Sequence, residues 1–447
     1  MSDMRVSRRK ALKLGAVSAA LPLVHVRTAA AAGKLSIFLW DHWVPAGNDV
    51  VRKQIAAWAD KNKVDVQVDF ITSMGNKNLL TINAEAMAKT GHDIITIPNW
   101  EVQNQADKLE PVDDVVKRLE AKYGPANRVS NYLGKAKNSW LAVPSSWGTQ
   151  NKGPCGRISI LKEAAGFDVL KAYPASAMAE TAEAKGWTME AMLKAAEACQ
   201  KIGKTFAIGL GTTADNVDTA GSIFASFGAE VVDAKGDIQI KSDAVRQVLE
   251  YGQRLVKFLP ADAVSFDDAS NNRALISGSS ALIWNPPSAW AVAIRDAPDV
   301  AKDCWTFPAP AGPKGRFMPH SMNFWGIWKF SSNKTAAKEL TEHLMQIENV
   351  DERSASVLGY DLPPFLKMNE SKVWDEVGPP KGSVYNYPVR KEHNSVENIA
   401  VMPAPPEVAV QVYNRGTLPT MFAKLQSGQS IKQVIDWASS ELEGFVR

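Results

Sequence analysis

Two kinds of hydrophobic spacing alternate along the chain after its first thirty residues. Short apolar runs, or positions that alternate between apolar and polar, are typical of strands. Apolar positions repeated every three or four residues are typical of helices. The predicted order is strand 35–40, helix 50–62, strand 64–70, helix 79–89 and strand 93–97. Strands and helices that alternate at this spacing predict a parallel α/β sheet.

A second region with the same two periods follows. Thr188 is a suitable N-cap for a helix, and Glu190 lies in the first turn, where a negative charge is favoured. Lys235-Gly236 separates two short apolar segments and predicts a hairpin. The remaining predicted elements are strands at 206–210, 281–284 and 324–330, and helices at 188–202, 217–227, 243–258, 335–347 and 431–445. The chain is thus predicted to be α/β along most of its length.

The first 32 residues have the pattern of an export signal. Basic residues are followed by a weakly apolar stretch over 14–24 and then by Ala29 to Ala32. The segment from Ser7 to Lys13, SRRKALK, resembles the twin-arginine motif, with Ala11 where Phe is usual. The alternative is an ordinary secretory signal that contains an arginine pair by chance. We expect residues 1–32 to be a cleaved twin-arginine signal peptide and the mature protein to be periplasmic.

The absence of a cysteine near this predicted cleavage site indicates that the protein is not a lipoprotein. The formal net charge is +3 for 447 residues. Residues 1–32 contain six basic and one acidic residue, so the mature chain carries −2. This small negative charge gives no reason to expect a nucleic acid or a membrane surface as partner.

No motif for catalysis or metal binding is evident. The three cysteines are far apart, the six histidines never form H-x-x-x-H, and no P-loop or G-x-S-x-G occurs. Residues 209–214 match G-x-G-x-x-A, with Glu230 about 20 residues later, but a turn that needs small residues is the simpler interpretation. Asp267-Asp268 is interpreted as capping of a following helix. We expect no cofactor, no bound metal and no enzymatic activity.

Tryptophan is unusually frequent, with 14 residues, and several of these follow predicted strands. Ligands of open α/β sheets bind at the carboxyl ends of the strands. An indole face beside Asn, His or Ser suits a polyhydroxylated ligand, whose ring faces are apolar and whose hydroxyls need partners. For any one tryptophan, packing in the core is the alternative interpretation.

Four segments resemble one known family. They are WTMEAMLKAA at 187–196, AEVVDAKGDIQIKSDAVRQVL at 229–249, NNRALISGSSALIW at 271–284 and KTAAKELTEHLM at 334–345. Their sequences and shared order are similar to those of extracytoplasmic solute-binding proteins of carbohydrate-type ABC importers (family 1, maltose-binding-protein-like). The resemblance covers nearly all of the chain after the signal.

The resemblance implies an α/β, two-lobed periplasmic-binding-protein fold (type II), with hinge-linked lobes and a central ligand cleft. It places lobe one at 33–143 plus 284–326 and lobe two at 144–283 plus 327–447. The residues that it implies for the ligand cleft are Trp40, His42, Trp43, Asn99, Trp100, Glu101, Ser146, Trp147, Trp284, Asn285, Asn323, Trp325 and Tyr360.

The function implied is capture of a sugar or related polyol and its delivery to ABC permease subunits with an ATPase. We expect a monomer that closes about its hinge when the ligand binds. One alternative is a periplasmic enzyme exported by the twin-arginine route and acting on carbohydrate. Another is a binding protein that serves a sensor.

The export route can be tested by replacing Arg8 and Arg9 with lysine. Because the twin-arginine machinery reads the arginine pair itself, we expect the double variant to remain as a precursor in the cytoplasm. Fractionation and immunoblotting measure this, with the unchanged chain as control. A normal amount of processed protein in the periplasm would contradict the route, although not export as such.

Overall fold

The computed structural model describes residues 33–177, 179–383 and 394–444. The predicted signal peptide at 1–32 lies outside these ranges. The strands are β1 Lys34–Trp40, β2 Asp65–Ile71, β3 Ile94–Pro98, β4 Lys135–Ala136, β5 Ser139–Trp140, β6 Ala142–Asn151, β7 Pro154–Arg157, β8 Thr205–Phe206, β9 Ser280–Trp284, β10 Cys304–Thr306, β11 Arg316–Ile327 and β12 Ser395–Asn398.

The helices agree with the predicted ones to within a few residues wherever a strong period was present. They are Pro45–Asn62, Lys77–Ala88, Glu101–Asn104, Asp113–Tyr123, Arg128–Gly134, Ile158–Ala165, Val169–Ala172, Met189–Lys201, Ala214–Phe227, Asp243–Leu255, Ser270–Ile276, Pro286–Asp296, Pro298–Lys302, Lys334–Leu344, Ile347–Ser356, Val373–Glu376, Pro406–Asn414, Thr417–Gln426 and Ile431–Glu443. None of the helices in the described ranges is long and apolar enough to cross a bilayer.

The first sheet has the strand order β12-β11-β3-β1-β2, and β6 also pairs with β11. Strand β1 runs parallel to both β2 and β3, as the sequence predicted. Strand β11 is antiparallel to β3 and reaches back to Arg316, whereas the predicted strand began only at 324. The polar residues His320, Ser321 and Asn323 and the residue Pro319 interrupt the apolar run before 324, so the pattern did not predict the earlier part of the strand.

The second sheet has the strand order β10-β7-β9-β8. Strand β8 ends at Phe206, so the prediction of a strand through 210 is wrong for its last four residues. The backbone turns away there, since the Leu210 N–H donates to the Ala263 carbonyl instead of to a neighbouring strand. The predicted hairpin around Lys235-Gly236 is reduced to a single bridge between Val232 and Ile238.

Strands β6 and β11 connect the two sheets. They pair antiparallel from Gly326 and Ala142 in the first sheet to His320 and Asn151. Three residues after Asn151 the chain enters β7 of the second sheet. The long strand pair therefore crosses from one half of the molecule to the other.

The packing differs from the predicted lobes at two places. Helices Lys334–Leu344 and Ile347–Ser356 pack against Pro45–Asn62 of the first sheet's layer, although 327–447 was predicted to belong to lobe two. Strand β10 pairs with β7 in the second sheet, although 284–326 was predicted to belong to lobe one. The predicted lobe bounds follow from the resemblance to the family alone. No local hydrophobic pattern shows which of the two sheets a given helix or strand packs against.

Candidate functional site

A cavity of about 420 Å³ lies where the carboxyl ends of β1 and β3 face the start of helix Ala214–Phe227. Its lining residues are Trp40, Trp43, Ser73, Asn76, Asn78, Leu79, Asn83, Thr96, Pro98, Asn99, Glu101, Asn104, Gly148, Gln150, Thr212, Thr213, Ala214, Asp215, Asp268, Asn285, Ser321, Asn323, Tyr413 and Asn414. Its volume is within the range of small-molecule sites. The lining is rich in amide and hydroxyl side chains and includes two indoles.

Asn99 is fixed at the end of β3 by the crossing strand β11. Its Oδ1 accepts a hydrogen bond from the Met322 N–H at 2.7 Å, and its Nδ2 donates to Ser321 Oγ at 3.2 Å. The same Nδ2 donates to the Tyr413 hydroxyl at 3.0 Å. The end of β3, the crossing strand β11 and helix Pro406–Asn414 therefore meet at one side chain.

Gly148 of β6 lies between Trp40 and Asn323. Its φ of 74° lies in the left-handed region, which favours glycine. An added Cβ would approach the Trp40 ring to 2.7 Å and the Asn323 amide nitrogen to 2.5 Å. A residue without a side chain is therefore required where the crossing strand passes beneath the indole.

The turn before helix Ala214–Phe227 forms the opposite side of the cavity. It is the G-x-G-x-x-A segment, and the structure agrees with its interpretation as a turn that needs small residues. A Cβ on Gly209 would collide with the Asn216 side chain, and one on Gly211 would lie 2.9 Å from the Val264 carbonyl oxygen. The turn presents Thr212 and Thr213 to the cavity, a role that no sequence pattern indicated.

A buried lysine neutralises part of the acidic charge near this turn. Lys152 Nζ lies 2.8 Å from Asp215 Oδ1 and 3.1 Å from Asp218 Oδ2. Burial opposes protonation of Lys152, but the two carboxylates outweigh it and raise its pKa. Burial raises the pKa of Asp218 to about 6 in spite of the lysine. Lys152 is thus a cation held by two carboxylates behind the cavity.

Asp268 has a different environment. Burial, followed by the nearby Asp215 charge, raises the pKa of Asp268 to about 7. Its carboxyl group makes no hydrogen bond or ion pair with any described residue, although it lines the cavity. The interpretation of Asp267-Asp268 as helix capping is wrong, because helix Ser270–Ile276 has Ala269 as its N-cap and no side-chain cap. Asp267 instead accepts hydrogen bonds from the Ala269 N–H and the Ser270 hydroxyl.

Six of the predicted site residues line the cavity. They are Trp40, Trp43, Asn99, Glu101, Asn285 and Asn323. Glu101 accepts hydrogen bonds from Asn104 at 2.9 Å and from Asn414 at 3.1 Å. Asn285 Nδ2 donates to Asp215 Oδ2 at 2.9 Å.

The other predicted site residues do not line the cavity, and each lies in the core. They are His42, Trp100, Ser146, Trp147, Trp284, Trp325 and Tyr360, all of them buried. Trp100 packs edge-on against Tyr132, and its Nε1 donates to the Ala400 carbonyl at 3.3 Å. C-terminal residues therefore cover the indole that was predicted to face the ligand.

A group of these residues supports Trp40 from behind. Trp147 Nε1 donates to the Trp40 carbonyl at 3.0 Å. The centre of the His42 ring lies 4.9 Å from the centre of the Trp40 ring and 4.6 Å from that of the Tyr360 ring. The Val44 N–H donates to His42 Nδ1, so Nε2 carries the proton that is donated to Asp361 at 3.0 Å. His42, Trp147 and Tyr360 thus act as supporting residues.

Three predicted site residues remain, and they are buried for separate reasons: Trp325, Ser146 and Trp284. Trp325 lies in β11 with the Arg353 guanidinium carbon 5.7 Å from its ring centre, and Arg353 also donates to Ser146 Oγ at 3.2 Å. Trp284 lies in β9, where all five strand residues are buried. The end of a strand thus places a side chain near the cavity but does not determine which way it points.

Several lining residues had no counterpart in the sequence analysis. Asn76, Asn78 and Asn83 follow the carboxyl end of β2 and could have been found by the strand-end rule that was applied to β1 and β3. Tyr413 and Asn414 end a helix near the C-terminus and carry no such signal. Within the described ranges, no group of three or more His, Cys, Asp or Glu side chains is placed to hold a metal ion.

The different environments of Trp100 and Trp43 predict different effects of truncation. Trp100→Ala removes a fully buried indole and should lower the free energy of unfolding by roughly 3–5 kcal/mol. Trp43→Ala removes a partly exposed one and should cost clearly less. Chemical denaturation of both purified variants measures the difference. Equal stability of the two variants would contradict the assignment of Trp100 to the core.

The raised pKa of Asp268 predicts a pH-dependent stability change. A carboxyl group whose folded pKa is above its unfolded value destabilises the fold as pH rises through the interval between them, here about 4 to 7. Asp268→Asn should therefore raise the melting temperature more at pH 8 than at pH 5. Asp267→Asn is the matched control, because the pKa of Asp267 is lowered, chiefly by the hydrogen bond from Ser270. A stabilisation by Asp268→Asn that is the same at both pH values would contradict this.

Comparison with known proteins agrees with this architecture. The maltose-bound MalE3 of T. maritima superposes with a TM-score of 0.69 at 18% identity, over 92% of this chain and 100% of that one. A sugar transporter protein of Arthrobacter chlorophenolicus A6 with bound laminaribiose superposes with a TM-score of 0.70 at 16% identity, over 93% of this chain and 100% of that one. A solute-binding protein of Thermotoga lettingae TMO bound with α-D-tagatose superposes with a TM-score of 0.72 at 14% identity, over 93% of this chain and 100% of that one.

These likenesses confirm the predicted two-lobed α/β binding-protein fold. A search among curated proteins gives no match. Residues 53–378 match the sequence profile of a family described as bacterial extracellular solute-binding protein. The chain therefore belongs to the family of bacterial extracellular solute-binding proteins.

Proposed function

We propose that this protein captures a sugar or related polyol in the cavity and delivers it to the permease subunits of an ABC transporter with an ATPase. The observation that carries the proposal is the composition of the cavity wall. Two indoles, Trp40 and Trp43, share one cavity with many amide and hydroxyl side chains. This combination matches the apolar ring faces and the hydroxyl groups of a carbohydrate.

Each part of the wall has a separate role in this proposal. Stacking and burial on one indole are worth roughly 1–3 kcal/mol. Amide side chains offer both a donor and an acceptor, so lining residues such as Asn76 and Asn78 suit hydroxyl groups, which also have both. The ligands named for the three similar structures, namely maltose, laminaribiose and tagatose, support the same class.

We also propose revised lobe boundaries. Lobe one consists of residues 33–143 with 334–376, and lobe two of residues 154–306 with 395–444. The paired strands β6 and β11 join them as a hinge. The cavity has lining residues from both proposed lobes, so a ligand that contacts both would favour the closed arrangement.

The setting of the protein is proposed on the sequence signals and on its family. Cleavage near Ala32 would release a periplasmic monomer without a lipid anchor. The family and its structural neighbours are binding proteins, and no observation among the described residues favours the alternative of a carbohydrate-active enzyme.

A ligand screen tests the proposed function. Sugars and polyols are screened by thermal shift, because a ligand that binds only the native state raises the melting temperature. For a compound that binds, we expect Trp43→Ala to weaken affinity about 10- to 100-fold by calorimetry, the loss of roughly 1–3 kcal/mol.

The matched control is Trp437→Ala. Trp437 is also partly buried, but it lies on the C-terminal helix with Lys424 4.5 Å from its ring centre, and it does not line the cavity. This control should leave affinity unchanged. An equal loss in both variants, or no binding by any sugar or polyol, would contradict the proposal.

A further inference from the structure

The charges that face the cavity are all of one sign. Three carboxylates line it, those of Glu101, Asp215 and Asp268, and no lysine, arginine or histidine among the described residues does so. Lys152 does not reach the cavity, because it is 2% exposed and its ammonium group is held between Asp215 and Asp218. A ligand therefore meets acidic groups and amides but no described cation.

The three carboxylates differ in how far the protein already satisfies them. Both oxygens of Glu101 accept hydrogen bonds from asparagine side chains. Asp215 is paired with Lys152 and also accepts a hydrogen bond from Asn285. Asp268 has neither kind of partner among the described residues. It is the carboxylate that remains for a ligand.

Further acceptor atoms lack partners at the same wall. Asn285 uses its Nδ2 on Asp215, and its buried Oδ1 has no hydrogen-bond partner in the described structure. The same is true of Gln150 Oε1, and both residues line the cavity. Buried acceptors without partners are costly, so a ligand rich in donors is favoured here.

One helix N-terminus at the wall that would attract an anion is already compensated. Helix Ala214–Phe227 begins at the cavity, and the N-terminus of a helix carries a partial positive charge. Asp215 lies in its first turn and occupies the position that favours a negative group. An anionic ligand would therefore meet a carboxylate at this helix end.

We propose that the ligand carries a protonated amino group on a polyhydroxylated frame, as in an amino sugar or amino polyol, and that this group binds at Asp268. The inference rests on the proposed function and specifies its substrate class. An ammonium group donates three hydrogen bonds and accepts none, which suits a wall of carboxylate and amide oxygens. A sugar acid would add a negative charge to a wall that already carries three carboxylates.

The proposal includes a direction for the pH dependence. The groups that face Asp268 electrostatically are Asp215, Lys152 and Asp267, and burial together with Asp215 favours its protonated form. An ammonium ligand needs the ionised form. Binding of an amine with a pKa well above 8 should therefore tighten as pH rises from 6 to 8, whereas binding of the corresponding neutral polyol should not.

Two matched sets of compounds test the proposal on the full-length mature protein. One set is sorbitol, 1-amino-1-deoxysorbitol and gluconate, and the other is glucose, glucosamine and glucuronate. Within a set the six-carbon frame is kept while one carbon carries a neutral, cationic or anionic group. That carbon is C1 throughout the first set, whereas in the second set the amine is at C2 and the carboxylate at C6. Thermal shift and calorimetry at pH 7 should show the amine of at least one set binding at least tenfold more tightly than its neutral counterpart, and the acids not binding.

Variants at two adjacent carboxylates locate the effect. Asp268→Asn should abolish the preference for the amine, so that the amine and its neutral counterpart bind this variant with affinities within about twofold of each other. Asp267→Asn is the matched control, since Asp267 is paired with Arg273 and does not line the cavity. It should keep the preference. A preference that survives in Asp268→Asn would overturn the assignment of this residue.

The outcomes separate this inference from the proposed function. If neutral compounds bind and their amines bind no better, the inference is wrong and sugar or polyol capture stands. Binding of an acid of either set also overturns the inference alone. If no compound of either set binds, and the wider screen finds none, both are wrong.

Discussion

The antiparallel pairing of β6 with β11 is the contact on which both the fold and the cavity depend. The two strands share one ladder from Ala142 and Gly326 to Asn151 and His320, and they belong to the first sheet while leading into the second. Gln150, Ser321 and Asn323, which line the cavity, all come from this pair. The cavity is therefore built on the element that joins the two halves, and a shift between the halves changes it.

The buried ion group of Lys152 fixes the second half to that same strand pair. Lys152 follows β6 directly, its N–H donates to the Pro319 carbonyl at 2.7 Å, and its ammonium binds two carboxylates of helix Ala214–Phe227. Removal of a charge from water is costly, and loss of one partner of a buried pair costs more than the pair contributes. The arrangement therefore defines where the helix and its cavity-facing turn lie more than it adds stability.

The order of strands and helices could be predicted from residues 35–98 because hydrophobic period is a local property. The orientation of side chains at the strand ends could not. Trp43 and Trp100 each follow a strand, yet only Trp43 lines the cavity. Trp100 is covered by Ala400 and Tyr413, some 300 residues later in the chain, and no local pattern encodes that contact. The carboxyl-end rule therefore located the cavity and identified only part of its lining.

Gly148 has a consequence for how such a site can change during evolution. It lies in the crossing strand directly against Trp40 and Asn323, and the Gly148 N–H donates to Asp361 at 2.9 Å. Any side chain gained at this position has to displace the indole or the amide, both of which line the cavity. A single codon in the strand that connects the two sheets is thus also a codon for the shape of the pocket, so that selection on the strand pairing and selection on ligand choice act on the same residue.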